Sequence, residues 1–254
     1  LLAETPPLDE VFVFPALGDA GLPVGARLSF LHARDGTQTW LAHRHRLENV
    51  YLGQNFDRSI DETLEGAGMR RLAGRPVDTA VDLIRAGKAG AIYTGRMEFG
   101  PRALGARSII ASPHDHAIND NLNKRLDRSE FMPFAPYVLE EDAARVFEIT
   151  DVNRYAARFM TITCAVKPEW RARIPAVVHV DGTARPQIVH GDENPLFAAI
   201  LRRFRDATGL PVLINTSFNV HEEPIVNRPE ECLQALQEER VDFVVTQQAV
   251  YVKG

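Results

Sequence analysis

Three arginines and three glycines crowd into residues 95–108, Gly-Arg-Met-Glu-Phe-Gly-Pro-Arg-Ala-Leu-Gly-Ala-Arg-Ser, directly after a strand-like apolar run. Guanidinium forks bind phosphate oxygens in pairs, and backbone N–H groups beside glycines can approach an anion closely, so the stretch predicts a loop that cradles phosphate. The plainer alternative is a surface loop whose arginines pair with carboxylates such as Glu98. A second polar set, Asn-Thr-Ser-Phe-Asn at 215–219, follows the apolar residues 211–214. Polar groups at the carboxyl end of a strand commonly line a ligand crevice, and Ser217 and Asn219, two apart on an extended chain, point to one side and could hold phosphate. A hydrogen-bonded turn explains the same residues. His-Val-Asp-Gly-Thr-Ala-Arg at 179–185 reads as a turn that delivers one more arginine, Arg185. Asp19, in Gly-Asp-Ala-Gly at 18–21, could face a metal ion or simply serve its turn. His43 and His45 lack further ligands nearby in sequence and read as a solvated loop. No Ser-His-Asp order, HExxH or GxxxxGK[ST] pattern occurs, so hydrolase, zincin and P-loop readings lose their usual anchors.

The elements that must position these groups follow from periodicity and caps. Residues 11–14 read as a short strand, and 24–31 as a helix after the glycine turn. Ser59-Ile-Asp-Glu62 has the spacing of a capping box and starts a helix. Asp78 reads as the cap of a helix that Gly87 ends, followed by a buried strand over 89–94. From Asp115 a helix carries Ile118, Leu122 and Leu126 on one face. If that helix runs on, Lys124 and Arg128 share a face and act as a pair, while Arg125 lies about 100° away. Residues 159–166 alternate like a half-buried strand. Asn194-Pro195 is an N-cap with proline at the first helical position, and Phe197, Ile200, Leu201 and Phe204 form an apolar stripe that Gly209 closes. Strands over 211–214, 243–246 and 249–252 and a helix over 229–236 complete a mixed α/β (α+β) fold.

The chain has 254 residues, 45% hydrophobic and 25% charged, with glycine and proline spread along it, which suits a soluble globular core and excludes a low-complexity or fibrous protein. A net charge of −5 argues against a nucleic-acid partner, whose binding rests on many phosphate neutralisations. Cys164 and Cys232 stand apart from each other and read as plain core thiols in a reducing, cytoplasmic compartment. No apolar run reaches the ~20 residues of a membrane span. Leu1, which is not an initiator Met, reads as an internal start.

Several of these stretches together resemble the carbamoyltransferase family that includes the nodulation and the antibiotic O-carbamoyltransferases. The carrying residues are Pro-Ala-Leu-Gly-Asp-Ala-Gly at 15–21, residues 95–108, Phe-Met-Pro-Phe-Ala-Pro at 131–136, residues 179–185, Gly-Leu-Pro-Val-Leu-Ile-Asn-Thr-Ser-Phe-Asn-Val at 209–220 and Glu-Pro-Ile-Val at 223–226. The resemblance implies that residues 1–48 are the end of an actin-like carbamoyl-transfer domain and 49–254 a YrdC-like domain with a mixed twisted sheet. It implies that the YrdC-like part makes carbamoyladenylate from carbamoyl phosphate and ATP, with Mg²⁺, for transfer to a hydroxyl of a sugar or other small molecule. A nucleotide- or RNA-binding YrdC-like module without catalysis, or a partner-binding remnant, are the competing expectations. The implied site places Lys124, Arg128, Arg102 and Arg185 at the reacting groups, and Arg96, Arg107, Ser108, Asn215, Ser217 and Asn219 on the nucleotide, with Ser217-Phe-Asn219 similar to the Ser-x-Asn motif of YrdC proteins. Asp19 matches the family's metal-binding aspartate, with Fe²⁺ or another divalent ion expected only where its histidine partners are present. Relatives carry Lys-x-Arg-Glu before Arg-Pro-Phe-Ala-Pro, whereas this chain is a residue shorter and has Met132 in place of arginine, so Lys124 or Arg128 takes the basic role. The chemistry itself calls for cations: each pair of like charges ~4 Å apart costs about 4 kcal/mol at an effective dielectric of ~20.

Overall fold

The computed structural model describes residues 8–128 and 134–254. The Phe-Met-Pro at 131–133, including Met132, lies outside the described residues. The chain carries, in order, α1 (Leu22–His43), α2 (Ile60–Gly66), β1 (Arg70–Arg71), α3 (Pro76–Arg85), β2 (Gly90–Tyr93), β3 (Arg107–Ala111), α4 (Ala117–Arg125), β4 (Ala135–Leu139), α5 (Glu140–Val146), α6 (Asp151–Ala157), β5 (Cys164–Ala165), α7 (Pro168–Arg171), β6 (Thr183–Ala184), β7 (Gln187–Val189), α8 (Pro195–Thr208), β8 (Val212–Ser217), α9 (Pro229–Gln237), β9 (Phe243–Val245) and β10 (Val250–Val252).

Eight strands form one sheet in the order β1-β10-β9-β2-β3-β8-β4-β7, with β5 and β6 as a separate two-stranded ribbon. The β2/β9 and β4/β7 pairs are parallel and the other neighbours antiparallel, so the sheet is mixed as expected. Its middle, β2, β3, β8 and β4, is buried nearly throughout, mostly by apolar side chains, with Arg107, Ser108 and Asn215 buried among them. One helix shows how local signals and packing agree. Asn194 Oδ1 accepts from Phe197 N at 3.1 Å, Pro195 opens α8, and Gly209 closes it in the left-handed region at φ +73°. The buried stripe of Phe197, Ile200, Leu201 and Phe204 then contributes about 1.5–3 kcal/mol per side chain.

Several local expectations change under tertiary context. Residues 11–14 are not a strand; Val11 N instead donates to Val152 O at 2.8 Å and Phe12 stacks on Tyr155 with ring centroids 5.0 Å apart. The helix expected over 24–31 continues to a kink at Gly36, whose φ is +78°, and a further helical stretch runs on to His43, with no buried residue in either part. The strand expected over 159–166 shrinks to Cys164–Ala165, because Met160 adopts φ +56° and turns the chain. Conversely, the strand ending at Ile214 extends through Ser217, since β3 and β4 pair with it on both sides as far as Asn215 and β3 continues to Ser217. Cys164 and Cys232 are buried free thiols, and burial pushes the Cys164 thiol up to about 12. Among the described residues, no helix is long and apolar enough to cross a membrane.

Candidate functional site

The loop between β2 and β3 arches over the sheet where β8 carries Asn215, and it is held from within. Glu98 is 4% exposed, and its Oε1 accepts from Leu104 N and Ala106 N, each at 2.7 Å, and from Arg107 N at 3.3 Å. Gly105 N donates to Ser108 Oγ at 2.8 Å. The carbonyls face other side chains: Asn215 Nδ2 donates to Ala103 O at 3.0 Å, Gln187 Nε2 and Tyr51 Oη to Leu104 O at 2.7 and 2.8 Å, and Asn194 Nδ2 to Gly105 O at 2.8 Å. Gly105 is required here: its φ is +112°, and a Cβ would sit 2.8 Å from the Phe197 ring. The amides expected to cradle phosphate donate instead to the Glu98 carboxyl group, whose pKa burial pushes upward while the N–H groups of Ala106, Glu98 and Leu104 and the charge of Arg107 oppose the shift.

This arrangement divides the loop arginines. Arg107 begins β3, is 0% exposed, and donates through Nη1 to Thr94 O at 2.8 Å and Ala106 O at 2.9 Å and through Nη2 to Gly95 O at 3.3 Å, with its guanidinium 3.8 Å from the Tyr93 ring centroid. It is a core residue and cannot reach a nucleotide, contrary to expectation. Ser108 is likewise fully buried and spent on Gly105. Arg96 lies at the outer edge, where Nε donates to Gly53 O at 2.9 Å and the side chain lines a separate shallow depression with Leu52 and Gln54. Arg102 alone of the three, at the crown of the loop, has no hydrogen-bond or carboxylate partner among the described residues. It stands half-buried between two cavities, of about 180 and 780 Å³, which share Pro101, Arg102 and Met160.

Arg128, Asn215, Ser217 and Asn219 meet Arg102 around the smaller cavity. Arg128 donates to Thr216 Oγ1 at 2.8 Å, Ser217 O at 3.1 Å and, at 3.4 Å, Ser217 Oγ, and its desolvation lowers its pKa. It does not share a helix face with Lys124. The helix α4 ends at Arg125, Asp127 takes φ +53°, and Arg128 N closes the turn on Asn123 O at 2.9 Å, throwing the Arg128 side chain onto β8. Lys124 is exposed and lines neither cavity. Arg125 is engaged elsewhere, with Glu239 O at 2.8 Å and Asp242 at 3.1 Å. Asn219 Nδ2 is spent on Val220 O and Glu223 O, at 2.9 and 2.8 Å, so Asn219 offers the cavity an acceptor in place of the expected donor.

Arg185, beyond β6, lines the larger cavity with Arg102. No hydrogen bond or ion pair engages it among the described residues, and desolvation, with the like charge of Arg102, lowers its pKa to about 10. Among the described residues Glu148 lines the same cavity but pairs with neither arginine, and two neighbouring guanidinium groups not paired to a carboxylate attract an anion. Phe134 and Thr216, which lie inside the quoted motifs but carry no role there, and His221 and Glu222, which lie outside them, also line the smaller cavity. Glu98 and Gln187, which hold the loop, gave no sequence signal as supports, because their partners are main-chain atoms that any residue supplies.

Asp19 lies exposed in a 3-10 turn over Asp19–Gly21, and among the described residues no group of three or more His, Cys, Asp or Glu side chains gathers where a metal could sit. A transition-metal site takes three or four protein ligands, so the residues present do not fit one.

Residues 81–253 match the family described as Carbamoyltransferase C-terminus. The chain is 37% identical to an uncharacterised protein of Methanocaldococcus jannaschii over 91% of this chain and 38% of that one, and 40% identical to nodulation protein NolNO of Sinorhizobium fredii over 86% and 32%. It therefore spans well under half the length of these relatives. Among solved structures, full-length HypF in its phosphate- and nucleotide-bound form aligns with a TM-score of 0.48 and 16% identity over 70% of this chain and 24% of that one. With more than half of its length matched, the chain belongs to the carbamoyltransferase C-terminal family.

Proposed function

We propose that this chain activates carbamoyl phosphate with ATP to form carbamoyladenylate in the paired cavities around Arg102. The observation that carries the reading is the convergence of Arg102, Arg128 and Arg185, of which Arg102 and Arg185 have no carboxylate partner among the described residues. Family membership supplies the substrate class. In this reading carbamoyl phosphate is hydrolysed to carbamate and phosphate. A carbamate oxygen then attacks the α-phosphorus of ATP, the bond to the β-phosphate bridge breaks, and pyrophosphate leaves. Mg²⁺ enters with ATP. Fixed guanidinium donors act by positioning and charge stabilisation, so no strong general base is required. Arg102 bridges the two ligands, Arg128 and Ser217 face the nucleotide phosphates, and Arg185 faces the phosphate of carbamoyl phosphate. Residues 49–254 form this activating unit, and 1–48 belong to a transfer unit that passes the carbamoyl group to a small-molecule hydroxyl.

The test is carbamoyl-phosphate-dependent exchange of labelled pyrophosphate into ATP, with ATP binding followed by calorimetry. Exchange that falls at least tenfold in Arg102→Ala and Ser217→Ala supports the reading. ATP binding without exchange would leave a nucleotide-binding module instead.

A further inference from the structure

The loop that presents Arg102 is anchored differently on its two limbs. After Arg102, the carbonyls of residues 103–105 accept from Asn215 of β8, Gln187 of β7 and Asn194, the cap of α8. Before Arg102, the loop pairs with the connector, residues 47–54, that joins the first 46 residues to the sheet. Met97 N donates to Gln54 O at 3.1 Å, Gly53 N to Met97 O at 2.9 Å, and Phe99 N, three residues ahead of Arg102, to Val50 O at 2.7 Å. The connector is in turn clasped by Tyr155 of α6. Tyr155 Oη accepts from Leu47 N at 2.8 Å and donates to Leu47 O at 3.1 Å, and Arg158 donates to Glu48 O at 2.6 Å. The Tyr155 ring packs with Val50, Leu104, Phe159 and Met160 in an apolar cluster separate from the main core, and Met160 lines both cavities. The same ring stacks on Phe12 and lies 4.6 Å from the guanidinium of Arg46, which pairs with Glu10. Tyr155 itself is buried and lines neither cavity.

We infer that Tyr155 is a positioning residue for Arg102. By holding the connector it fixes the limb that rises to Arg102, so the seating of residues 10–12 and 46–47 on its ring is felt at the anion site. The inference rests on the reading of Arg102 as the cation that bridges the two ligands, and adds what aims it. One limb of the loop is tied to the sheet and to α8, so a shift of the connector tilts the crown instead of carrying the whole loop with it. A guanidinium that works by preorganised charge is sensitive to such a tilt, since a misplacement of about 1 Å can lower a rate by as much as about 100-fold.

Two measurements test this, one of them free of ligand. Tyr155→Phe keeps the ring and its packing and removes both bonds to Leu47. Followed by amide hydrogen exchange, Met97 and Phe99 should exchange at least about tenfold faster in the variant, while Leu104 and Ala106, whose amides are bonded to Glu98, stay within about twofold. Phe12→Ala, at a position that lines neither cavity, should speed the Phe99 amide about threefold. An unchanged Phe99 amide in either variant, or equal loosening of Leu104 and Ala106, overturns the inference. In the pyrophosphate exchange assay, Tyr155→Phe should lower kcat/KM about tenfold in the otherwise unaltered chain. With Arg102 already replaced by alanine it should lower it less than about twofold, because Tyr155 acts through Arg102. Equal losses in the two backgrounds mean general loosening and overturn the assignment. If pyrophosphate exchange is absent, or is indifferent to Arg102→Ala, the activation reading falls, and the amide rates still decide whether Tyr155 places the loop.

Discussion

Arg102 and Arg107 stand on one loop, yet the first is an open cation between two cavities and the second is sealed in the core. Arg107 satisfies Thr94 O, Ala106 O and Gly95 O and lies over Tyr93, so its charge is spent on folding the root of the loop. Arg102 makes none of these contacts, and the loop beneath it is braced by Glu98, Asn215 and Gln187. The contrast teaches that the loop is a rigid pedestal and not a flexible cradle: its amides point inward, and only the side chain at its crown is offered to a ligand. Preorganised charge of that kind needs little rearrangement when an anion arrives.

Substitutions at the root and crown should therefore separate stability from function. The largest expected effect is Arg107→Met, which strips donors from three carbonyls and should cost about 3 kcal/mol or more of unfolding free energy by denaturant titration. If it unfolds normally but loses ATP binding, the root is part of the site and the division is wrong. Glu98→Ala leaves three amides without an acceptor and should cost about 2–3 kcal/mol in the same titration. At the crown, Arg102→Ala should change stability by no more than about 0.5 kcal/mol. Exchange should nevertheless fall about 10- to 100-fold, equivalent to roughly 1.4–2.8 kcal/mol. Equal losses of stability in Arg102→Ala and Arg107→Met would erase the distinction. Smallest of all, Lys124→Ala should leave unfolding free energy within about 0.5 kcal/mol and exchange within about twofold, since this exposed lysine lines neither cavity and has no side-chain hydrogen bond or ion pair among the described residues. A collapse of exchange in that variant would show that Lys124 reaches the substrate by a route the folded chain does not display.

Local signals in the chain determined much of this protein. Asn194, Pro195 and Gly209 mark the ends of α8 by chemistry within a few residues, and its apolar stripe needs only helical spacing. Ser59 and Gly87 likewise bound their helices where caps predict, although Ser59 Oγ bonds back to Phe56 O and not forward into its helix. The motifs also drew attention to residues that the fold brings together: Arg102, Arg128, Arg185, Asn215, Ser217 and Asn219 line the two cavities. What each member does was decided only in three dimensions. Strand pairing drew Arg107 and Ser108 into β3, a left-handed residue at Asp127 ended α4 before it could align Lys124 with Arg128, and Glu98 filled the nest that phosphate was expected to fill. The physical reason is that a side chain's role depends on which partners reach it first. For a cap those partners lie a few residues away, whereas for Asn215 they are the carbonyl of Ala103 and the amide of Gln187, brought in from distant segments by the fold.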